Sequence, residues 1–423
     1  MRAGYANIDI TPPPGQEMTG YGYYLDRRAT GALDRLMGRA VALEQGGSSA
    51  VIVQLDLLAL STTFVAHVRS RAAELFALPP EALMLHCTHT HTGPAAMPLH
   101  GCGMPSEDFV FELEHKLLKV IRAALDDLRP VAAARKFQTD FAEGFAHNRV
   151  GGTDLDTHVR GVAVDVEGGR PILVLSYACH PVTLGRLDRY SADYCGALIR
   201  EFNAYGIRAV YLNGCSGDIN PLSNTVNWGS GTQETLQIYG RDLAAAARRG
   251  LGASVPWTPG PIRCASRLIP LEAAPANLEQ LRTGLEQVRK RLAECPEDGP
   301  SRVDERWHEL QISYHTTGAV GREMSAEIQA IACGDVYFAG LSAEAFTRLG
   351  QIIRDSAPSH LGLIAATCNG VRGYIATRED VEGGGYASAS AAKIYGMPLP
   401  APGAGEKWAQ EGARVVAAAL GTG

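Results

Sequence analysis

The chain has 423 residues, 46% hydrophobic and 20% charged, and its 39 basic and 45 acidic side chains give a net charge of -6. This composition excludes a disordered or fibrous chain, and the lack of a basic patch argues against nucleic acid as a partner. No apolar run reaches the ~20 residues of a membrane-spanning helix.

From the N-terminus onward, short runs rich in Val, Ile and Leu alternate with stretches of helical period. The pattern predicts strands at 50–56 and 82–87, with helices at 64–76 and 108–128. Strands at 161–166, 171–177 and 208–213 follow, interleaved with helices at 192–205 and 236–251. A charged helix begins at 276, and a Pro/Gly/Asp-rich turn closes this helical excursion near 301. Strands at 335–341 and 361–366 and helices at 343–355 and 407–420 complete the chain. The reading is a single large α/β catalytic domain over 1–423, with a mixed, largely parallel sheet flanked by helices. Met1–Asp9 shows no apolar signal-peptide core. The nine cysteines form no CxxC pair and sit mostly in apolar surroundings. Reduced, buried thiols and a cytoplasmic location are therefore expected.

Polar residues recur where these strands end. The first strand ends in Asp56, the second runs into His89-Thr90-His91, and another leads to His180. The strand at 208–213 opens into Gly217-Asp218-Ile219-Asn220, and that at 335–341 leads to Glu344. In open α/β sheets, ligand sites lie beyond the carboxyl ends of strands. If His89 and His91 continue an extended segment, alternation turns both rings to one site. Imidazole and carboxylate together suit a transition metal. The spacing is not HExxH, so a helix-borne zinc-protease site is excluded. The Gly-rich loop after 213 is neither a Walker loop nor GxGxxG, and no GxSxG nucleophile elbow occurs. Ser390-Ala391-Ala392-Lys393 matches SxxK but lacks the companion segments, so a solvated helical lysine is the better reading. Spacing alone assigns no role to Tyr374 or Tyr386.

An ordered set of blocks resembles the catalytic domain of the neutral ceramidases, zinc-dependent amidases. The blocks are Gly4–Pro12, Met18–Gly22, Thr88–Pro94, Asn148-Arg149, Cys179–Pro181, Ser191–Tyr194, Gly217–Pro221, Glu344, Gly373–Thr377 and Gly385-Tyr386. They span nearly the whole chain. The resemblance implies one Zn2+ per chain, held by His89, His180, Glu344 and Tyr374. It places His91 beside the metal as the proton carrier, and Arg149 and Tyr386 on the scissile amide. Asn220 stands where the family has a serine, and it is taken as a substrate-binding residue. The family's further C-terminal β-domain has no counterpart here, which makes ceramide itself a doubtful substrate. The expected activity is hydrolysis of an N-acyl amide in a soluble or small amphipathic small-molecule substrate. A zinc esterase or lactonase would use the same parts. Asp56, Asp193 and Asp218 leave open a two-metal phosphoesterase, and a homo-oligomer is also left open.

Overall fold

A computed structural model describes residues 1–320 and 324–422. The larger sheet runs in the order Arg208–Asn213, Ile172–Tyr177, His158–Val166, Arg129–Asp140, Arg2–Asp9, Met37–Gln45, Ser48–Leu55, Leu83–Cys87, with Val255–Pro256 added beside Arg129–Asp140. A second sheet is ordered Ile262–Pro270, Ser325–Cys333, Val336–Leu341, Leu361–Ala365.

Period-two alternation stacks these sheets into four layers. Leu173, Leu175 and Tyr211 face a core shared with Leu198, Phe202 and Leu243 of the helices Asp193–Ala204 and Gln233–Gly252. Ile172, Val174 and Val210 face the opposite way, into a core that also holds Phe338 and Leu363 of the second sheet. Tyr337, Ala339 and Ile364 turn outward again, against Leu349, Ile353, Trp408 and Val416 of the helices Thr347–Asp355 and Ala404–Leu420. The order is helix, sheet, sheet, helix. Strands buried on both faces read as continuous apolar runs, which explains why they stand out in the sequence.

The class is α/β with mixed sheets flanked by helices, as expected. Parallel pairing is less prevalent than the alternation implies. In the larger sheet it joins Arg208–Asn213 to Ile172–Tyr177, and Ser48–Leu55 to Leu83–Cys87. The other pairings there are antiparallel. One source is the hairpin between Met37–Gln45 and Ser48–Leu55, closed by Gly46 and Gly47 with φ of 65° and 80°. Two positive φ values are what a two-residue hairpin turn of this twist requires, and glycine adopts them without strain.

Helix starts follow local chemistry. Ser61, Ser106 and Asn277 each accept a hydrogen bond from the backbone N–H three residues on. Asp298 does the same for a second helix, Gly299–Thr317, which pairs with Leu278–Glu294. The helical excursion is thus a hairpin longer than 276–301. It folds back onto the body, where Trp307 donates to Met397 O at 2.6 Å. Among the described residues no helix is long and apolar enough to cross a membrane. All nine cysteines are unpaired.

Candidate metal centre and its cavity

The ends of Leu83–Cys87 and Ile172–Tyr177 in one sheet meet the end of Val336–Leu341 in the other, and they deliver His89, His180 and Glu344 to one point. Glu344 Oε2 lies 2.9 Å from His89 Nε2 and 3.1 Å from His180 Nε2. His91 joins them, with its ring centroid 4.9 Å from His89 and 5.5 Å from His180. Among the described residues, His89, His91 and His180 are the group whose ligand atoms gather within 4.8 Å of one another.

Each ring is locked by its outer nitrogen. His89 Nδ1 contacts Leu58 O at 2.9 Å, His91 Nδ1 contacts Gly20 O at 2.7 Å, and His180 Nδ1 contacts Ser216 O at 2.6 Å. A carbonyl only accepts, so each Nδ1 carries the proton and each Nε2 presents a lone pair. This backbone bracing is the usual way a metal-binding imidazole is oriented. The Nε2 atoms of His89 and His91 are buried without a hydrogen-bond partner. Burial, reinforced by the Arg149 guanidinium, lowers the His180 pKa to about 4. Burial and the other two imidazoles push His91 well below the ordinary range. Both rings are therefore neutral at pH 7, the form that binds a cation. Burial alone would raise Glu344; among neutral imidazoles, a bound cation is what would keep this carboxylate ionised. Orphaned lone pairs facing a buried carboxylate fit a borderline divalent ion such as zinc.

The backbone route to this arrangement differs from the extended segment expected. His89 sits at φ 73°, a left-handed conformation that bends the chain between the two histidines. The rings converge because His89 N donates to Leu57 O at 2.9 Å across this bend, and not because residues alternate along a strand. Left-handed non-glycine residues cost about 1–3 kcal/mol and concentrate at functional sites.

The remaining predicted residues also gather here. Tyr374 lies beside Glu344 in a short parallel pairing, with its hydroxyl 3.4 Å from His180 Nε2. Arg149 Nη2 donates to Tyr374 Oη at 2.9 Å and to Gly217 O at 2.7 Å. Tyr386 borders the cavity half-exposed, its ring 6.1 Å from that of Tyr374. Asn220 is buried on the cavity wall with Oδ1 unpartnered. The cavity measures about 640 Å³; Tyr21 and Tyr23 line it, with the half-exposed rings of Trp228 and Tyr386.

The three aspartates considered for a second metal serve other ends. Asp56 is held by Arg39, Gln54 and the Met37 amide. Asp218 accepts from Thr347 N, Thr347 Oγ1 and Asn148 Nδ2, and Asp193 accepts from the Tyr194 amide. Burial raises both Asp193 and Asp218 to about 6.

Two contributors escaped sequence reasoning. Tyr395 donates its hydroxyl to Glu344 Oε1 at 2.5 Å, orienting the carboxylate. Gly20 has φ 98°, and a Cβ there would stand 2.7 Å from the His91 ring. Gly20 falls within one of the blocks that carry the sequence resemblance, a signal that named no role, whereas Tyr395 lies in none of those blocks.

No family model matches the chain, and no curated protein does either. Solved structures do. A neutral ceramidase from Pseudomonas aeruginosa superposes with a TM-score of 0.75 at 17% identity, over 99% of this chain and 74% of that one. A ceramidase complexed with C2 gives a TM-score of 0.74 at 16% identity, over 99% of this chain and 75% of that one. The chain therefore has the neutral-ceramidase-like fold from end to end.

Proposed function

We propose that this protein is a zinc-dependent hydrolase that cleaves an N-acyl amide of a small molecule. The observation that carries the proposal is the set of inward-facing Nε2 lone pairs, each fixed by a backbone carbonyl on its Nδ1, around the Glu344 carboxylate. His89, His180, Glu344 and Tyr374 would hold a single ion. Such an ion supplies Lewis acidity at a carbonyl and brings a water within reach of deprotonation near neutral pH.

Hydrolysis adds one water across the amide. A C–O bond forms, the C–N bond breaks, and the leaving nitrogen gains a proton. His91 carries that proton: its Nδ1–H is committed to Gly20 O, which leaves the buried Nε2 free to accept and return it. Arg149 and Tyr386, both on the cavity wall, orient the amide and meet charge developing on its oxygen. Esters fit the same parts, so paired amide and ester substrates belong in the first assays. The nine unpaired cysteines support a reducing compartment such as the cytoplasm.

A second reading makes His91 a third imidazole ligand, because its ring belongs to the same tight cluster as His89 and His180. Elemental analysis decides between the two. One zinc per chain is expected in the wild type and in His91→Ala, and none in His89→Ala or His180→Ala. Zinc lost in His91→Ala selects the three-imidazole set. Stoichiometric zinc surviving in a His89→Ala/His180→Ala double variant overturns both.

A further inference from the structure

Part of the cavity wall carries polar atoms for which the proposed hydrolysis has no use. His147 and Asn220 stand opposite one another in the antiparallel pair Ala146–Asn148 and Ile219–Pro221, so their side chains leave the same face. Asn220 is 2% exposed, and its Oδ1 has no partner, nor does His147 Nδ1. Asn224, also on this wall, accepts from the Gly229 amide through Oδ1 at 2.9 Å. That bond fixes which way its amide points, and it leaves Nδ2 buried and unpartnered. Buried polar atoms are normally paired. Several unpaired ones on one wall mark where a ligand's polar groups go.

Charge narrows the ligand. Among the described residues that line the cavity, Arg149 is the permanent charge, and none is Asp or Glu. Both of its hydrogen bonds leave from Nη2. Away from His91, the wall thus presents donors from Asn224 Nδ2 and Arg149 and a buried acceptor, Asn220 Oδ1. Resting on the amide-hydrolase reading, we propose that the amine half of the substrate is an α-amino acid, so that the enzyme takes N-acyl amino acids with a free carboxylate. The carboxylate meets Asn224 Nδ2 and those Arg149 donors that the amide oxygen does not engage. The amide N–H, an amine after cleavage, faces Asn220 Oδ1. The half-exposed rings of Trp228 and Tyr386 at the mouth cover the apolar remainder. A cavity of about 640 Å³ falls in the range usual for small-molecule sites.

Three amides that share one acyl group and one side chain test this: N-hexanoyl-phenylalanine, its phenylalaninamide and its phenylalaninol counterpart. Turnover is measured on zinc-loaded protein, and binding is measured separately by calorimetry. The carboxylate compound is expected to lead the other two by at least tenfold in kcat/KM and in affinity. Asn224→Asp keeps the acceptor for Gly229 and replaces the donor with an anion, so it should erase that lead. Equal or better turnover of the phenylalaninol amide overturns the inference and leaves amide hydrolysis standing. If no amide is cleaved, the hydrolase reading fails, and calorimetry alone judges the subsite: tighter carboxylate binding supports it, and equal binding overturns it. A carboxylate preference that survives in Asn224→Asp overturns the assignment.

Discussion

Gly20→Ala separates the role of the His91 position from ordinary backbone strain, because the chain supplies its own control. Gly15 and Gly20 have nearly identical φ, 97° and 98°. A Cβ at Gly15 meets nothing within 4 Å, whereas one at Gly20 stands 2.7 Å from His91 Cγ and Nδ1. An L-residue in the left-handed region costs about 1–2 kcal/mol, and both alanine variants incur it. Only Gly20→Ala must also displace the imidazole from its 2.7 Å contact with Gly20 O. Losing a buried hydrogen bond adds about 1–3 kcal/mol. Gly15→Ala should therefore lose about 1–2 kcal/mol in denaturant unfolding and keep its kcat. Gly20→Ala should lose about 2–5 kcal/mol, and its kcat should fall toward the ~10²–10⁴-fold expected when acid–base help is lost. Zinc content should stay at one per chain in both. If Gly20→Ala matches Gly15→Ala in both stability and kcat, the placement of His91 by Gly20 carries no function.

The other variants probe the site from different sides. His91→Ala should fold and retain zinc while kcat on an N-acyl amide drops ~10²–10⁴-fold; near-wild-type turnover would return His91 to the role of a loop residue. Tyr395→Phe removes the 2.5 Å hydrogen bond to Glu344 Oε1, and competition with a chelator should show metal affinity weakened by about 10–100-fold. Arg149→Ala should raise KM, lower kcat or both, and Arg149→Lys should rescue poorly, because an ammonium lacks the planar fork. Asn220→Ser should not create efficient turnover of long-chain ceramide, measured by release of the fatty acid.

The parts of the fold legible in the sequence are those buried on both faces. Ile172–Tyr177 and Arg208–Asn213 lie between two layers, so their apolar runs are unbroken and their bounds nearly match the prediction. Arg129–Asp140 and Ile262–Pro270 expose one face, carry Arg, Lys and Ser among their residues, and escape a search for apolar runs. Arg2–Asp9 and Met37–Gln45 are short of large apolar residues for a different reason. Gly4 packs so closely on the helix Glu107–Asp126 that a Cβ would reach 2.2 Å from Ala124 O. Missing these antiparallel strands made the sheet look more parallel than it is. The second half of the helical hairpin was equally hidden, since its buried stripe rests on the separated residues Val303, Trp307 and Gln311.

The site was legible to the extent that its donors follow strands. His89, His180 and Glu344 stand just beyond buried strands, and the local rule about strand ends finds them without knowledge of which sheet each strand joins. Tyr374, Arg149 and Tyr395 have no such marker. They reach the centre through a two-residue parallel pairing, a loop after Ala146–Asn148, and the segment beyond a short helix. Tertiary contacts bring them there, and periodicity does not encode those contacts. His89 shows the limit most sharply. Extended geometry nominated two histidines whose rings do converge, yet the chain is bent at φ 73° at the first of them. That bend is sustained by His89 N on Leu57 O and His89 Nδ1 on Leu58 O, both from the loop after Ser48–Leu55. One neighbouring strand end thus fixes both the backbone and the ring of a residue on the next. The parallel pairing of Ser48–Leu55 with Leu83–Cys87 is what puts the two ends side by side. The strain at His89 is therefore held by the sheet, and the sheet, more than the two-residue spacing, places its ring beside His91 and His180.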